Sequence, residues 1–308
     1  MTPAARVPAI CGAATFGLAG RSGSISDPAD AQKFIDLLVS QGHNAVDAAR
    51  TYGDGTTEQV ICRVWPDNPG DHSSARLKEL VQESVIALNG VKIRTLYLHK
   101  PDRSVPFAET VGAIDELYKR GIFESFGLSN YLSWEVSEIV TICRLNGYVA
   151  PTVYQGIYNF IDRVNEAELF PCLRRFGIRF AAFSPLAGGL LTDRITDLAL
   201  LETNFRFNTE KGIPWYRTRY ARAPAVLQRF QPFLATHKLT LSEVAARWLV
   251  HHSQMRPDDH GIIYGASKLP QLEESLANHA KGPLPAEVVA AVDNIWLELS
   301  PFVPTYGM

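Results

Sequence analysis

A short apolar segment that ends in a polar residue and leads toward a helix recurs along the chain. The stretch 43–52, HNAVDAARTY, is the clearest example, because a strand is predicted over 44–48 with Asp47 at its end and Tyr52 in the following loop. His99, Asn130, Gln155 and Ser184 occupy similar places at or just after later strands. Such side chains can meet only if the strands are parallel and adjacent, which is the geometry of a (β/α)8 barrel.

Apolar periodicity predicts eight strands, over residues 9–14, 44–48, 60–65, 95–99, 123–128, 152–155, 179–184 and 261–264. Helices are predicted over 76–88, 106–120, 133–145, 166–176, 269–280 and 285–299. Asp27 and Pro28 are expected to start the first helix, and Ser133 to cap a later one. The alternation predicts a parallel α/β barrel that occupies residues 1–308 as a single domain.

One long polar and aromatic segment, 193–224, interrupts this alternation. Long segments of this kind in compact domains are typical of lids or ligand walls. Its aromatic residues Trp215, Tyr216 and Tyr220 are therefore predicted to line a substrate pocket. Its arginines, Arg206, Arg217 and Arg219, are candidates for contact with phosphates or with an acidic substrate, although arginines in loops are more often solvated.

Composition excludes several classes of partner. The formal net charge of −2 provides no basic field for nucleic acid or an anionic membrane, and no apolar run is long enough to span a bilayer. The amino-terminal residues lack the pattern of a signal peptide, so a cytoplasmic location is expected. The four cysteines have no CxxC spacing, which indicates reduced thiols without a metal site.

Asp47, Tyr52 and His99 together suggest proton transfer to a carbonyl group. A tyrosine is a weak acid near neutral pH and becomes useful when a nearby cation stabilises the phenolate. An aspartate at the strand end can hold that cation, and a histidine can bind the substrate oxygen. Taken singly, each residue also has an ordinary structural explanation, namely loop packing for Tyr52, a turn cap for Asp47 and a hydrogen-bonded core group for His99.

Several motifs resemble those of the aldo-keto reductases. These are VDAARTYGDGTTE, LYLHKPD and FGLSNY, and the long run PTVYQGIYNFIDRVNEAELFPCLRRFGIRFAAFSPLAGGLLT is most similar to the aflatoxin-aldehyde reductase branch. The resemblance covers nearly the whole chain. It implies a (β/α)8 barrel that reduces an aldehyde or ketone with NADPH, and the aromatic segment suggests a bulky, polyketide-like carbonyl compound of secondary metabolism.

The resemblance also implies a role for individual residues. Tyr52 matches the general acid, Asp47 the carboxylate that holds a catalytic lysine, and His99 the residue that orients the carbonyl. The residues that match cofactor contacts are Ser129, Asn130 and Gln155 at the nicotinamide carboxamide, Phe183 at the nicotinamide ring, Ser184, Leu186 and Gly188 at the pyrophosphate, and Gly265, Ser267, Lys268, Gln271 and Glu274 at the adenosine end. Ser267 and Lys268 suit a 2′-phosphate, which favours NADPH over NADH.

The sequence departs from the family where the catalytic lysine is expected. The family has a helix and then a strand ending in Thr-Lys after the tyrosine, whereas here the second-to-third βα unit is shortened and no lysine occurs between Tyr52 and Lys78. If residues 60–65 form the third strand, Arg63 takes the position of the lysine. Alternatively, Arg63 lies on a remodelled edge and the site is incomplete, or the short unit is an error in the gene model.

The missing lysine leaves three functions open. The first is carbonyl reduction with NADPH, which the cofactor motifs favour. The second is a non-redox isomerase, dehydratase or cyclase that uses Tyr52 and His99 as acid and base. The third is a cofactor-binding regulatory subunit. The sequence identifies neither the substrate nor the oligomeric state, and a homodimer is one of the alternatives for the latter.

Overall fold

A sheet of parallel strands forms the centre of the protein. The computed structural model describes residues 7–17, 25–49, 68–192, 207–208 and 214–307. The strands within these ranges are β1 (Ala9–Gly12), β2 (Val46–Asp47), β3 (Ile93–Leu98), β4 (Phe123–Ser129), β5 (Val153–Ile157), β6 (Arg179–Phe183) and β7 (Gly261–Gly265). They pair in the order β2-β1-β7-β6-β5-β4-β3, and every pairing is parallel. The strand predicted at 60–65 lies outside the described residues.

Helices follow most of these strands. They are α1 (Pro28–Ser40), α2 (Ser74–Ala87), α3 (Phe107–Lys119), α4 (Ser133–Asn146), α5 (Leu169–Phe176), α6 (Pro214–Arg219), α7 (Ala223–Thr236), α8 (Leu241–His251), α9 (Leu269–Ala280) and α10 (Ala286–Leu299). The alternation of parallel strands and helices confirms the predicted α/β barrel class. Among the described residues, no helix combines the length and the apolar character needed to cross a bilayer.

The two faces of the sheet bury different groups of side chains. The larger hydrophobic cluster combines strand and helix residues and therefore lies between the sheet and the helices. The smaller cluster consists of strand residues alone, namely Ile10, Tyr97, Val153, Ala181 and Ile263, with Ala45 and Phe183 packed against it. Because successive side chains on a strand point to opposite faces, this smaller cluster fills the inner face of the curled sheet.

Gly127 on β4 makes room for one member of the inner cluster. It pairs in register with Tyr97, and a Cβ atom at Gly127 would lie 2.5 Å from the Tyr97 ring. Any side chain here would have to displace that ring from a closely packed interior. The glycine of the FGLSNY motif is thus required by packing on the inner face.

Most predicted boundaries agree with the structure to within a few residues. Asp27 caps α1 as expected, since its Oδ1 accepts a hydrogen bond of 2.8 Å from the Ala29 amide. The predicted cap at Ser133 is wrong: the cap position is Leu132, and Glu135 accepts a 2.7 Å bond from its amide. Ser133 donates instead to Glu168. The segment 193–224 is also not wholly irregular, because α6 forms within it.

Candidate active site

A ring of residues, all but Phe183 polar or small, lies one layer above the inner cluster. Each member follows a residue of the inner face by two positions and therefore points to the same side of the sheet. The ring contains Gly12, Asp47, His99, Ser129, Gln155, Phe183 and Gly265. The apolar layer below supports these side chains, so that polar groups gather at the carboxyl ends of the strands, where barrel enzymes place their active sites.

Asp47 and Gln155 are joined directly within this ring. Gln155 Nε2 donates a hydrogen bond of 2.9 Å to Asp47 Oδ1, and only 2% of Gln155 is exposed. The carboxylate also affects a thiol on β1: burial and then the charge of Asp47 raise the pKa of Cys11 to about 12. Cys11 therefore stays protonated and is no nucleophile. Asp47 thus accepts a hydrogen bond from a buried amide, and its charge adds to the effect of burial on the pKa of the Cys11 thiol.

His99 and Ser129 are positioned by Asn130. The Asn130 amide donates to the His99 carbonyl at 2.8 Å and to Ser129 Oγ at 3.1 Å. Asn130 has a φ of 63°, a left-handed conformation that asparagine tolerates better than most residues. All three residues are buried. The amide therefore ties the ends of β3 and β4 together and fixes two predicted site residues relative to each other.

The turn after β6 is held in an unusual backbone conformation. Ser184 has a φ of 54° and Ala187 a φ of 47°, and Gly188 and Gly189 follow at 69° and 101°. Left-handed conformations at serine and alanine carry strain and persist only where the surrounding structure imposes them. Such positions cluster at ligand sites. The turn that contains Ser184, Leu186 and Gly188 therefore has the character of a ligand-binding loop.

The loop between β7 and α9 presents a capped helix end. Gln271 Oε1 accepts hydrogen bonds from the Ser267 amide (2.8 Å), from Ser267 Oγ (3.1 Å) and from the Lys268 amide (3.1 Å). Glu274 accepts a 2.6 Å bond from Ser242 on α8. Gln271 and Glu274 thus have partners within the fold. Lys268 is exposed and forms no ion pair with any residue that the structure describes.

Aromatic residues of α6 approach the turn after β6. The Tyr216 hydroxyl lies 2.6 Å from Ser184 Oγ, and the Trp215 ring packs edge-on against Tyr216 with centroids 4.7 Å apart. Both residues are half-buried, as a ligand wall requires. Tyr220 differs, because it is 2% exposed and its hydroxyl donates to Asp162 at 3.3 Å. Trp215 and Tyr216 therefore lie beside the turn after β6, whereas Tyr220 is buried, and the predicted role of these three residues in a substrate pocket stays a prediction.

The predicted role of Arg219 as an anion contact is corrected. Arg219 is 4% exposed and forms a forked ion pair with Asp162, which is fully buried. In the sequence, Asp162 is distinguished only as a single acid in the apolar stretch IYNFID, and that pattern does not predict its buried ion pair. Tyr52, Arg63 and Arg206 lie outside the described residues, so their predicted roles stay predictions.

The first lysine after Tyr52 does not serve as the missing cation. Lys78 lies on α2 and forms an ion pair with Glu116 on α3. Both helices are on the outside of the sheet, and contacts between the two are extensive. Any cation that partners Tyr52 must therefore come from another residue.

Comparison with known proteins agrees with this geometry. The model of the aldo/keto reductase family matches residues 10–297. An aldo-keto reductase of Pseudocercospora fijiensis is 40% identical over 283 residues, covering 85% of this chain and 96% of that protein. The human aflatoxin B1 aldehyde reductase member 2 is 37% identical over 88% of this chain and 83% of its own length. The aldo-keto reductase pigE of Monascus ruber is 32% identical over 99% and 98% of the two chains. The chain therefore belongs to the aldo/keto reductase family, whose members are (β/α)8 barrels that reduce carbonyl groups.

Proposed function

We propose that this protein reduces an aldehyde or ketone with NADPH. The observation that carries the proposal is the ring at the carboxyl ends of the strands, in which Asp47 and Gln155 are joined at 2.9 Å with Ser129 paired in register to Gln155. A carboxylate, an imidazole and buried amides around one opening suit the binding of a carboxamide and a carbonyl oxygen. In the proposal, Tyr52 donates the proton and His99 orients the carbonyl.

The described residues fit a dinucleotide along one side of the barrel opening. Ser129, Asn130 and Gln155 would hold the carboxamide and Phe183 would pack on the nicotinamide ring. The strained turn with Ser184, Leu186 and Gly188 would receive the pyrophosphate. When bound, the nicotinamide supplies a hydride, and the protein supplies position and charge.

The residues proposed to bind the adenosine end of the cofactor favour NADPH over NADH. A Cβ atom added at Gly265 would meet nothing within 4 Å, so the loop is open there, and the exposed ammonium of Lys268 follows at the start of α9. A helix amino terminus beside an ammonium favours an anion such as a 2′-phosphate. Gly265, Ser267, Lys268, Gln271 and Glu274 thus form the proposed adenosine site, with Arg206 as a further phosphate contact.

The substrate proposed is a bulky carbonyl compound. Trp215 and Tyr216 present aromatic surface next to Ser184, which suits a ring system better than a short aliphatic chain. Among the similar proteins, pigE of Monascus ruber and the oxidoreductase sirO of Leptosphaeria maculans are fungal oxidoreductases. The aromatic surface of α6 is therefore the basis for proposing a bulky, secondary-metabolite carbonyl compound as the substrate class.

Cofactor titration tests the proposal. Calorimetry is expected to show NADPH binding more tightly than NADH. Lys268→Ala is expected to weaken NADPH binding by about tenfold or more, the effect of one charge-assisted hydrogen bond, and to leave NADH binding unchanged. Lys238→Ala, at the turn between α7 and α8, is the control. The absence of NADPH binding at millimolar concentration would contradict the proposal.

A further inference from the structure

A buried ion pair stands directly behind the aromatic wall of α6. Arg219 Nη2 donates to Asp162 Oδ1 at 3.0 Å and Arg219 Nε donates to Asp162 Oδ2. The guanidinium also lies 5.4 Å from the centre of the Trp215 ring, and its Nη1 donates to the Thr305 carbonyl at 2.9 Å. The pair therefore connects the loop after β5, the helix α6 and the carboxyl-terminal tail.

The same pair is connected to the turn after β6. Tyr220 donates to Asp162, and Asn159 donates to the Tyr220 hydroxyl at 3.1 Å and to the Ser184 carbonyl at 3.0 Å. Ser184 in turn bonds Tyr216, the neighbour of Trp215. A short chain of hydrogen bonds thus runs from Asp162 to the proposed cofactor turn and the proposed substrate wall.

The charge of Arg219 would matter greatly if Asp162 were absent. A guanidinium presents several donors in a planar fork that matches a carboxylate, and arginine stays charged when buried. An arginine behind a half-buried aromatic wall would attract any substrate that carries a carboxylate. In this protein the carboxylate of Asp162 already accepts hydrogen bonds from the Arg219 guanidinium, so the pair contributes no net charge.

We propose that Asp162 determines substrate specificity: by neutralising Arg219 it restricts the pocket to uncharged carbonyl compounds and disfavours those that carry a carboxylate. The inference rests on the proposed reductase function and specifies its substrate class. Asp162 acts here through Arg219 and through the position of α6. It takes no part in proton or hydride transfer.

A matched pair of aldehydes tests this inference. 4-Nitrobenzaldehyde and 4-carboxybenzaldehyde have nearly the same shape, but only the second is charged. Wild-type protein is expected to show the higher kcat/KM with the nitro compound. Asp162→Asn, which leaves Arg219 charged, is expected to shift the carboxy-to-nitro ratio of kcat/KM by about tenfold toward the acid. The double variant Asp162→Asn with Arg219→Gln, which is neutral again, is expected to return the ratio to the wild-type value.

A second arginine provides the matched control. Arg163 is 8% exposed, lies 4.3 Å from the centre of the Trp248 ring and pairs with Asp293 at 2.8 Å. Like Arg219, it is a buried arginine in contact with an aromatic ring and a carboxylate, but it lies away from α6 and Asp293 is exposed. Asp293→Asn is expected to leave the ratio unchanged. If Asp162→Asn lowers kcat/KM for both aldehydes equally, the pair is merely structural and the inference is overturned.

Ligand binding separates this inference from the proposed function. Benzoate and benzamide are titrated by calorimetry, without turnover. Wild-type protein is expected to bind benzamide more tightly than benzoate, and Asp162→Asn to reverse this order. If no aldehyde is reduced, the proposed function fails, yet this titration still decides the role of Asp162. Wild-type protein that binds benzoate at least as tightly as benzamide overturns the inference, even if the Asp162→Asn variant does not fold.

Discussion

The side-chain amide of Gln155 on β5 holds the carboxylate of Asp47 on β2 at 2.9 Å. In the order of the sheet, β1, β7 and β6 lie between these two strands. The bond therefore crosses the inside of the curled sheet and does not follow its surface. It joins the carboxylate expected to support the proton donor to an amide expected to hold the nicotinamide.

Replacing Gln155 with glutamate is expected to damage the site strongly near neutral pH. Two carboxylates would then face each other in a buried setting, and one of the two would have to bind a proton. We expect kcat/KM to fall by roughly 10–100-fold, the effect of losing a hydrogen bond to a charged group. Activity should recover in part as the pH is lowered, whereas Gln155→Leu should show no such recovery. The measurement is steady-state kinetics over about three pH units, from about pH 5 to about pH 8. An equal loss at every pH would contradict the arrangement.

Replacing Tyr52 with phenylalanine is expected to remove carbonyl reduction and to leave NADPH binding nearly intact. The hydroxyl is the proposed proton donor, and well-placed acid catalysis contributes roughly 10²–10⁴ in rate. Rapid-quench kinetics and a cofactor titration measure the two effects separately. Tyr118→Phe, on the exposed outside of α3, is the control. A parallel loss of cofactor affinity would assign Tyr52 a structural role.

The position of the ring was predictable from the sequence because strand alternation is strict. Asp47, Ser129 and Gln155 end short apolar segments, and the two-residue period places each above the inner layer. The Asp162–Arg219 pair was not predictable, since its partners are separated by 57 positions and no local pattern links them. The cap of α4 was predicted wrongly for a related reason. Glu135 reaches back to the Leu132 amide and leaves Ser133 to bind Glu168, which is distant in sequence.

Arg63 is expected to provide the cation that the family takes from lysine. Arginine keeps its charge and can stabilise a phenolate, but its planar head occupies more space than an ammonium. Arg63→Ala should therefore abolish the aldehyde reduction that the protein retains without the family's lysine. Arg63→Lys should leave this activity unchanged or raise it. Lys78→Ala is the control, since Lys78 pairs with Glu116 on the outside of the sheet. Unchanged rates in both Arg63 variants would assign the proton chemistry to Tyr52 and His99 alone.

His72 is expected to make stability depend on pH. It is 1% exposed, its Nε2 has no hydrogen-bond partner among the residues that the structure describes, and burial lowers its pKa to about 4. The unfolded chain binds a proton near pH 6.5, so the contribution to stability is fully present above that pH and is lost as the pH falls toward 4. Because one pKa unit corresponds to about 1.4 kcal/mol, the loss is on the order of 3 kcal/mol.

Urea unfolding measures this contribution. Wild-type protein should lose more stability between neutral pH and about pH 4.5, which is near the lower end of the titration range, than His72→Gln does. His237→Gln, at the end of α7, is the control and should behave as wild type. The same pH dependence in all three proteins would show that the folded structure accommodates the charged form of His72.

Isotope transfer is the most direct test of carbonyl reduction by this protein. NADPH that carries deuterium at both C4 positions of the nicotinamide is incubated with the protein and an aromatic aldehyde, and the product is analysed by mass spectrometry. The account predicts an alcohol with one deuterium on the former carbonyl carbon, formed in step with the oxidised cofactor. An isomerised or dehydrated product without deuterium, or bound NADPH that is not consumed with any aldehyde or ketone, would contradict it.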